Sequence, residues 1–91
     1  MSALKTLLGI DLPIIQAPMA GVQGSALALA VSSAGGLGSL PCAMLSHDAL
    51  RSELTMLRAN ARGPYNVNFF CHTSPTPDPA TERLWRQALA P

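Results

Sequence analysis

Four side chains in this 91-residue sequence are of the types that hold zinc or attack electrophiles: Cys42, His47, Cys71 and His72. No Cys-x-x-Cys pair is present, and the adjacent Cys71 and His72 would have to bend sharply to meet on one metal, so their spacing argues against a zinc site. Neighbouring strand residues point to opposite faces, which also separates Cys71 from His72 as nucleophile and base. His72 reads as a solvated loop histidine or as a polar residue lining the mouth of a fold. The glycines of Gly35-Gly36-Leu37-Gly38 invite a phosphate-loop reading, but a dinucleotide fingerprint follows a strand and opens a helix. Here they close a helix and open a strand, which is the place of a left-handed helix cap. Gly21 and Gly24 do precede a helix, yet Met19 stands where that fingerprint needs its first glycine. No metal-ligand set and no catalytic residue is therefore assigned in this chain.

The residues that remain are amides and a short proline-methionine segment. In Tyr65-Asn66-Val67-Asn68-Phe69-Phe70-Cys71, alternation along a strand puts Asn66, Asn68 and Phe70 on one face and Tyr65, Val67 and Phe69 on the other. A polar residue near the C-terminal end of a barrel strand points into the mouth where ligands sit, which makes Asn68 the first candidate for holding a polar ligand. The competing role is an asparagine bonded to neighbouring backbone. Gln16-Ala17-Pro18-Met19-Ala20-Gly21 leaves another strand at the same end. Its small residues let a flat ring approach the backbone, Pro18 removes one N–H, and Met19 packs against aromatic faces. Taken alone it is also an ordinary strand exit.

These residues need elements to position them. The apolar run Leu12–Met19, with prolines near both ends, predicts a first strand over 13–17. Ser25 is placed to cap a helix over 26–34 whose alanines permit close packing, and Gly35-Gly36 ends it. Leu37–Leu40 follows as a second strand, stopped by Pro41. Ser46 opens a second helix from His47 to about Ala61, in which Leu50, Leu54, Leu57 and Ala61 form one stripe while Arg51, Thr55, Arg58 and Arg62 take another face. Gly63-Pro64 stops that helix before a third strand over 65–71. A proline-rich loop then leads to Asp78 as N-cap and Pro79 as the first residue of a third helix, where Leu84 faces Ala88 and Trp85 faces Leu89.

The order β-α-β-α-β-α with short connections is the signature of a parallel α/β sheet covered by helices. Three parallel strands leave two open edges, and a closed eight-stranded barrel needs roughly 250 residues. Residues 1–91 therefore read as one piece of a single larger domain.

Composition narrows the function classes. Apolar residues make 48% of the chain and charged ones 12%, about half the charged share of ordinary soluble domains, which excludes a disordered chain. A net charge of +1 gives no electrostatic footprint for nucleic acid. No Asp, Glu, Lys or Arg falls between Asp11 and Asp48, but prolines and glycines break that stretch repeatedly, so it reads as buried strands and helix rather than as a membrane span. Two cysteines are too few for a secreted disulfide framework and the start has no signal-peptide pattern, which places the protein in the cytoplasm.

Pro13-Ile14-Ile15-Gln16-Ala17-Pro18-Met19-Ala20-Gly21, then Ala30-Val31-Ser32-Ser33-Ala34-Gly35-Gly36-Leu37-Gly38-Ser39-Leu40, then Asn66-Val67-Asn68-Phe69-Phe70 resemble the nitronate monooxygenase (2-nitropropane dioxygenase) family. The resemblance runs from about Leu7 to Pro91. It implies the N-terminal part of a TIM (β/α)8 barrel that holds FMN at its C-terminal mouth and oxidises alkyl nitronates with dioxygen to carbonyl compounds and nitrite. By the same resemblance Ala17, Pro18 and Met19 match first-strand contacts to the flavin, and Asn68 matches a flavin-binding asparagine. The family's phosphate-gripping glycine loops and its catalytic histidine belong to later strands, and His72 does not match that histidine. Flavin-dependent enoyl-carrier-protein reductases open similarly, so a fragment of such a reductase stays open beside it, as does a noncatalytic interaction protein built from a truncated barrel. The 91 residues alone are expected to be inactive and to need the missing barrel strands or self-association.

Overall fold

The computed structural model describes residues 2–91. Its elements in chain order are α1 (Ala3–Leu8), α2 (Ser25–Ser33), β1 (Gly38–Pro41), α3 (His47–Asn60), β2 (Tyr65–Asn68) and α4 (Pro79–Leu89). The sheet is parallel, with Gly38 opposite Tyr65, Ser39 opposite Asn66, Leu40 opposite Val67 and Pro41 opposite Asn68. The chain is thus an α/β fold with parallel strands and helical crossovers, as its periodicity implied.

Helix ends are set by the residues that the sequence singles out, with one exchange. Gly35 takes the left-handed conformation at φ 102°, its N–H donates to Ser32 C=O, and Gly36 N–H reaches back to Val31 C=O, so two carbonyls at the end of α2 are satisfied. Ser46 Oγ accepts the Ala49 N–H at 3.1 Å and opens α3. Asp78 accepts from Ala80 N–H and from the Thr81 hydroxyl at the head of α4, and these bonds, the hydroxyl first, hold its carboxyl below the usual carboxylate range. Ser25, however, is not a cap. Gly24 holds the N-cap position, Ser25 is the first helical residue, and its N–H donates to Glu53 Oε2 of α3 at 2.7 Å. A carboxylate meets an orphan N–H and the positive helix end together, so it takes the place that the serine hydroxyl was expected to fill. That bond also ties α2 to α3.

The expected first strand over 13–17 shrinks to a single bridge, Ile15 with Leu37. Gln16 N–H donates to Leu37 C=O and Leu37 N–H to Ile14 C=O, both at 2.9 Å. The next rung of a parallel ladder needs an N–H from residue 18, and Pro18 has none. The third strand, expected to reach Cys71, stops at Asn68. Its partner ends at Pro41, Cys42 N–H closes the ladder on Asn68 C=O at 2.8 Å, and the chain then turns away into α3, leaving 69–71 without a neighbour. Helix α1 was not foreseen: Ala-Leu-Lys-Thr-Leu-Leu are good helix formers, and Gly9 at φ 68° closes the turn with its N–H on Lys5 C=O.

The core lies between the sheet and the two crossover helices. Ala28, Leu40, Cys42 and Leu57 are buried there, with Leu29, Leu50, Leu54 and Tyr65 packed around them. Gly38 permits this packing, because a Cβ at that position would overlap the Ala28 carbonyl, so α2 lies directly on the β1 backbone. Ile10, Ser25, Leu37 and Ser39 are also buried. Every residue from 69 to 91 is exposed, including Leu84, Trp85 and Leu89 of α4. The accessible surface is 6850 Å², whereas a compact monomer of 9.5 kDa exposes about 5,000 Å². The radius of gyration, 18.2 Å, likewise exceeds the roughly 12 Å of a self-contained domain this long. Much of the apolar surface is therefore left uncovered by the chain itself.

Candidate functional site

Parallel strands end at the same edge of their sheet, and the two candidate segments follow from that. Asn68 is the last residue of β2, opposite Pro41, while residues 17–19 leave the Ile15–Leu37 bridge in the same direction. A second cleft, of about 350 Å³ between Asp11, Ser33, Gly36 and Arg62, lies at the opposite edge, where β1 and β2 begin. It is not the candidate site.

Two glutamines organise the strand exit. Gln16 Oε1 accepts the Ser39 N–H at 3.0 Å, and Gln23 Nε2 donates to the Ser39 C=O at 2.9 Å. Side-chain amides thus serve both backbone groups of Ser39 that face the missing rung. Gln16 Nε2 donates to Gln23 Oε1 at 2.6 Å, and the Met19 N–H donates to the same oxygen at 3.0 Å. On the far side, Asn66 Nδ2 donates to Ser39 Oγ at 3.2 Å. Ser39 is fully buried, so each of these partners is needed to satisfy its polar atoms.

The two asparagines consequently differ. Asn66 has spent its amide on Ser39, whereas the half-buried Asn68 side chain makes no hydrogen bond among the described residues; its backbone groups belong to the ladder with β1. Ala17 N–H and Pro18 C=O are also without partners among the described residues, because the exit has left the ladder. Met19 differs from both: its N–H belongs to Gln23 and its C=O accepts the Val22 N–H, so it offers its half-exposed thioether. One amide, one N–H, one C=O and one sulfur make a donor set suited to a flat heterocycle that carries both donors and acceptors on its edge. Of the residues singled out by sequence, Ala17, Pro18, Met19 and Asn68 all lie at this edge. The roles of Gln16, Gln23 and Ser39 were missed. The available signal was Pro18 itself, which must orphan the carbonyl opposite it.

The cysteines stand apart from this set. Cys42 is buried at the end of β1 with its thiol on the Leu40 carbonyl at 3.4 Å, and burial pushes its thiol above the ordinary range. Cys71 is free and exposed, and no three His, Cys, Asp or Glu side chains converge on a metal position among the described residues. A thiol-reactive dye should accordingly label Cys71 in the folded chain and reach Cys42 only on unfolding, read by mass after short exposure; equal labelling of both would contradict the packing around Cys42.

Comparison with known proteins adds to this geometry. A family model described as nitronate monooxygenase matches residues 1–91. The chain is 52% identical over 89 residues to a nitronate monooxygenase of Paraburkholderia phytofirmans, covering 98% of this chain and 24% of that protein. It superposes on FabK from Thermotoga maritima with a TM-score of 0.72 at 34% identity, covering 80% of this chain and 24% of that one. On the nitroalkane oxidase of Streptomyces ansochromogenes the TM-score is 0.67 at 39% identity, covering 98% and 24%. The chain therefore spans about a quarter of the length of each of these relatives.

Proposed function

This chain belongs to the nitronate monooxygenase family, and from that premise we propose that residues 1–91 form the N-terminal β-α-β-α-β-α portion of a single FMN-binding (β/α)8 barrel. The reaction is oxidation of alkyl nitronates by dioxygen to carbonyl compounds and nitrite. What supports the cofactor most is the pairing of a free Asn68 amide with free Ala17 N–H and Pro18 C=O groups at one edge of a parallel sheet. FMN, when bound, supplies electron transfer between the nitronate and dioxygen. The residues of this chain bind and orient: Asn68, Ala17 and Pro18 present polar atoms, and Met19 presents an apolar sulfur that excludes water. No general base and no phosphate cradle is assigned among them.

The uncovered surface fits the same reading, since the side chains exposed on α4 and along the strand exits await either the rest of a barrel or another copy. Two free thiols fit a reducing compartment, and no described helix is long and apolar enough to cross a membrane. The chain produced alone should self-associate and neither retain FMN nor consume a nitronate, because contacts from 17–19 and 68 do not offset the roughly 4–15 kcal/mol cost of immobilising a ligand. Light scattering with an absorption spectrum checks this, and a monodisperse monomer carrying tight flavin would contradict it.

Whether this segment can serve a nitronate-oxidising barrel is read in a chimera in which it replaces the matching quarter of the Paraburkholderia phytofirmans relative. Nitronate-dependent oxygen uptake with release of nitrite supports the proposal. A folded chimera that takes up no oxygen with a nitronate, while the unaltered relative does, would contradict it and leave the reductase and noncatalytic readings.

A further inference from the structure

Resting on the FMN reading above, we propose that Gln23 is a positioning residue for the flavin: it shapes the contact segment 17–19 without contacting the cofactor itself. Pro18 deletes one rung of the ladder between the first strand's exit and β1. A regular ladder would join residue 18 N–H to Ser39 C=O and Ser39 N–H to Gln16 C=O, drawing the exit of the first strand into the sheet. Gln23 Nε2 occupies the Ser39 carbonyl that proline cannot serve, and Gln16 Oε1 takes the Ser39 N–H. The two amides are joined to each other, and the Gln23 oxygen that joins them also fixes the Met19 N–H. One side chain thereby ties together positions 16, 19 and 39, none of which is its neighbour in sequence.

The consequence falls on residues 17 and 18. Held at 16 by one amide and at 19 by the other, the segment between them crosses outside the ladder with Ala17 N–H and Pro18 C=O unpaired among the described residues. Gln23 reaches neither of these groups, so its effect on a ligand passes entirely through the backbone it holds. Gly24 and the start of α2 follow immediately, where Glu53 anchors Ser25 N–H, and the position of Gln23 is fixed from that side too.

The test uses the chimera with Gln23→Met, which keeps side-chain volume and removes the amide's donor and acceptor together, and Gln23→Ala as a second variant. Ser46→Ala is the control, since it removes the cap of α3 far from the strand exits and destabilises the fold without touching segment 17–19. In the flavin-free protein, amide exchange at Met19 should accelerate at least tenfold in either Gln23 variant and stay unchanged in the control. In titrations, FMN affinity should fall at least tenfold with a shifted visible spectrum, again only in the Gln23 variants. Wild-type FMN affinity in both Gln23 variants, with the parent chimera binding FMN, would overturn the positioning role while leaving the FMN reading intact. Equal loss in the Ser46 control would reduce the effect to stability and overturn it as well. A parent chimera that binds no FMN would overturn the reading on which the proposal rests.

Discussion

Replacing Asn68 with alanine in the chimera weakens FMN binding by about 1–3 kcal/mol, roughly 5- to 150-fold, the cost of leaving a ligand's polar group unpaired in a partly desolvated site. The size of the effect depends on Asn68 having no other work. Its amide is unbonded among the described residues, so its removal orphans none of their polar groups and the loss appears in binding rather than in folding. Asn66→Ala supplies the contrast, because that amide serves the buried Ser39 hydroxyl and its removal should lower the unfolding temperature without changing FMN affinity. Fluorescence titration of both variants reads the difference. Unchanged affinity in Asn68→Ala would remove the asparagine from the site.

Gly38→Ala has the largest expected effect on stability. A methyl group at that position would overlap the carbonyl, carbonyl carbon and Cα of Ala28, all backbone atoms that cannot rotate away as a side-chain tip does. Helix α2 would have to lift from β1, separating Ala28 from Leu40 and opening the enclosed cluster. The cost should reach or exceed the ~1–3 kcal/mol of ordinary overpacking. Chemical denaturation of the variant chimera measures it, and a midpoint within error of the parent would show that the helix and strand are not in such close contact.

Much of the frame was legible because it depends on local signals. Ser46, Asp78-Pro79 and Gly35-Gly36 fix helix ends through their own side chains or backbone preferences, and the Leu50, Leu54, Leu57 stripe places α3 on the sheet. The misreadings share a different cause, which is that a distant residue took over a local task. Ser25 looked like a cap, but a carboxylate 28 positions later provides the acceptor. The run 13–17 had a strand's composition, yet strand length is set by available donors, and Pro18 removed the one that mattered. Phe69–Cys71 had strand composition too and stopped pairing because the neighbouring chain turned away. The place of Asn68 at a strand end was legible from alternation and its distance along the strand, whereas the glutamine clamp was not, since Gln16 and Gln23 acquire their bonds only once Ser39 is placed between them.

That the strand exits of this segment form part of an FMN site is read from the flavin content of the purified chimera after gel filtration. The expected product is a yellow protein with about one FMN per chain, released by denaturation and identified by mass. A folded, monodisperse chimera that elutes colourless and takes up no FMN on titration would contradict it.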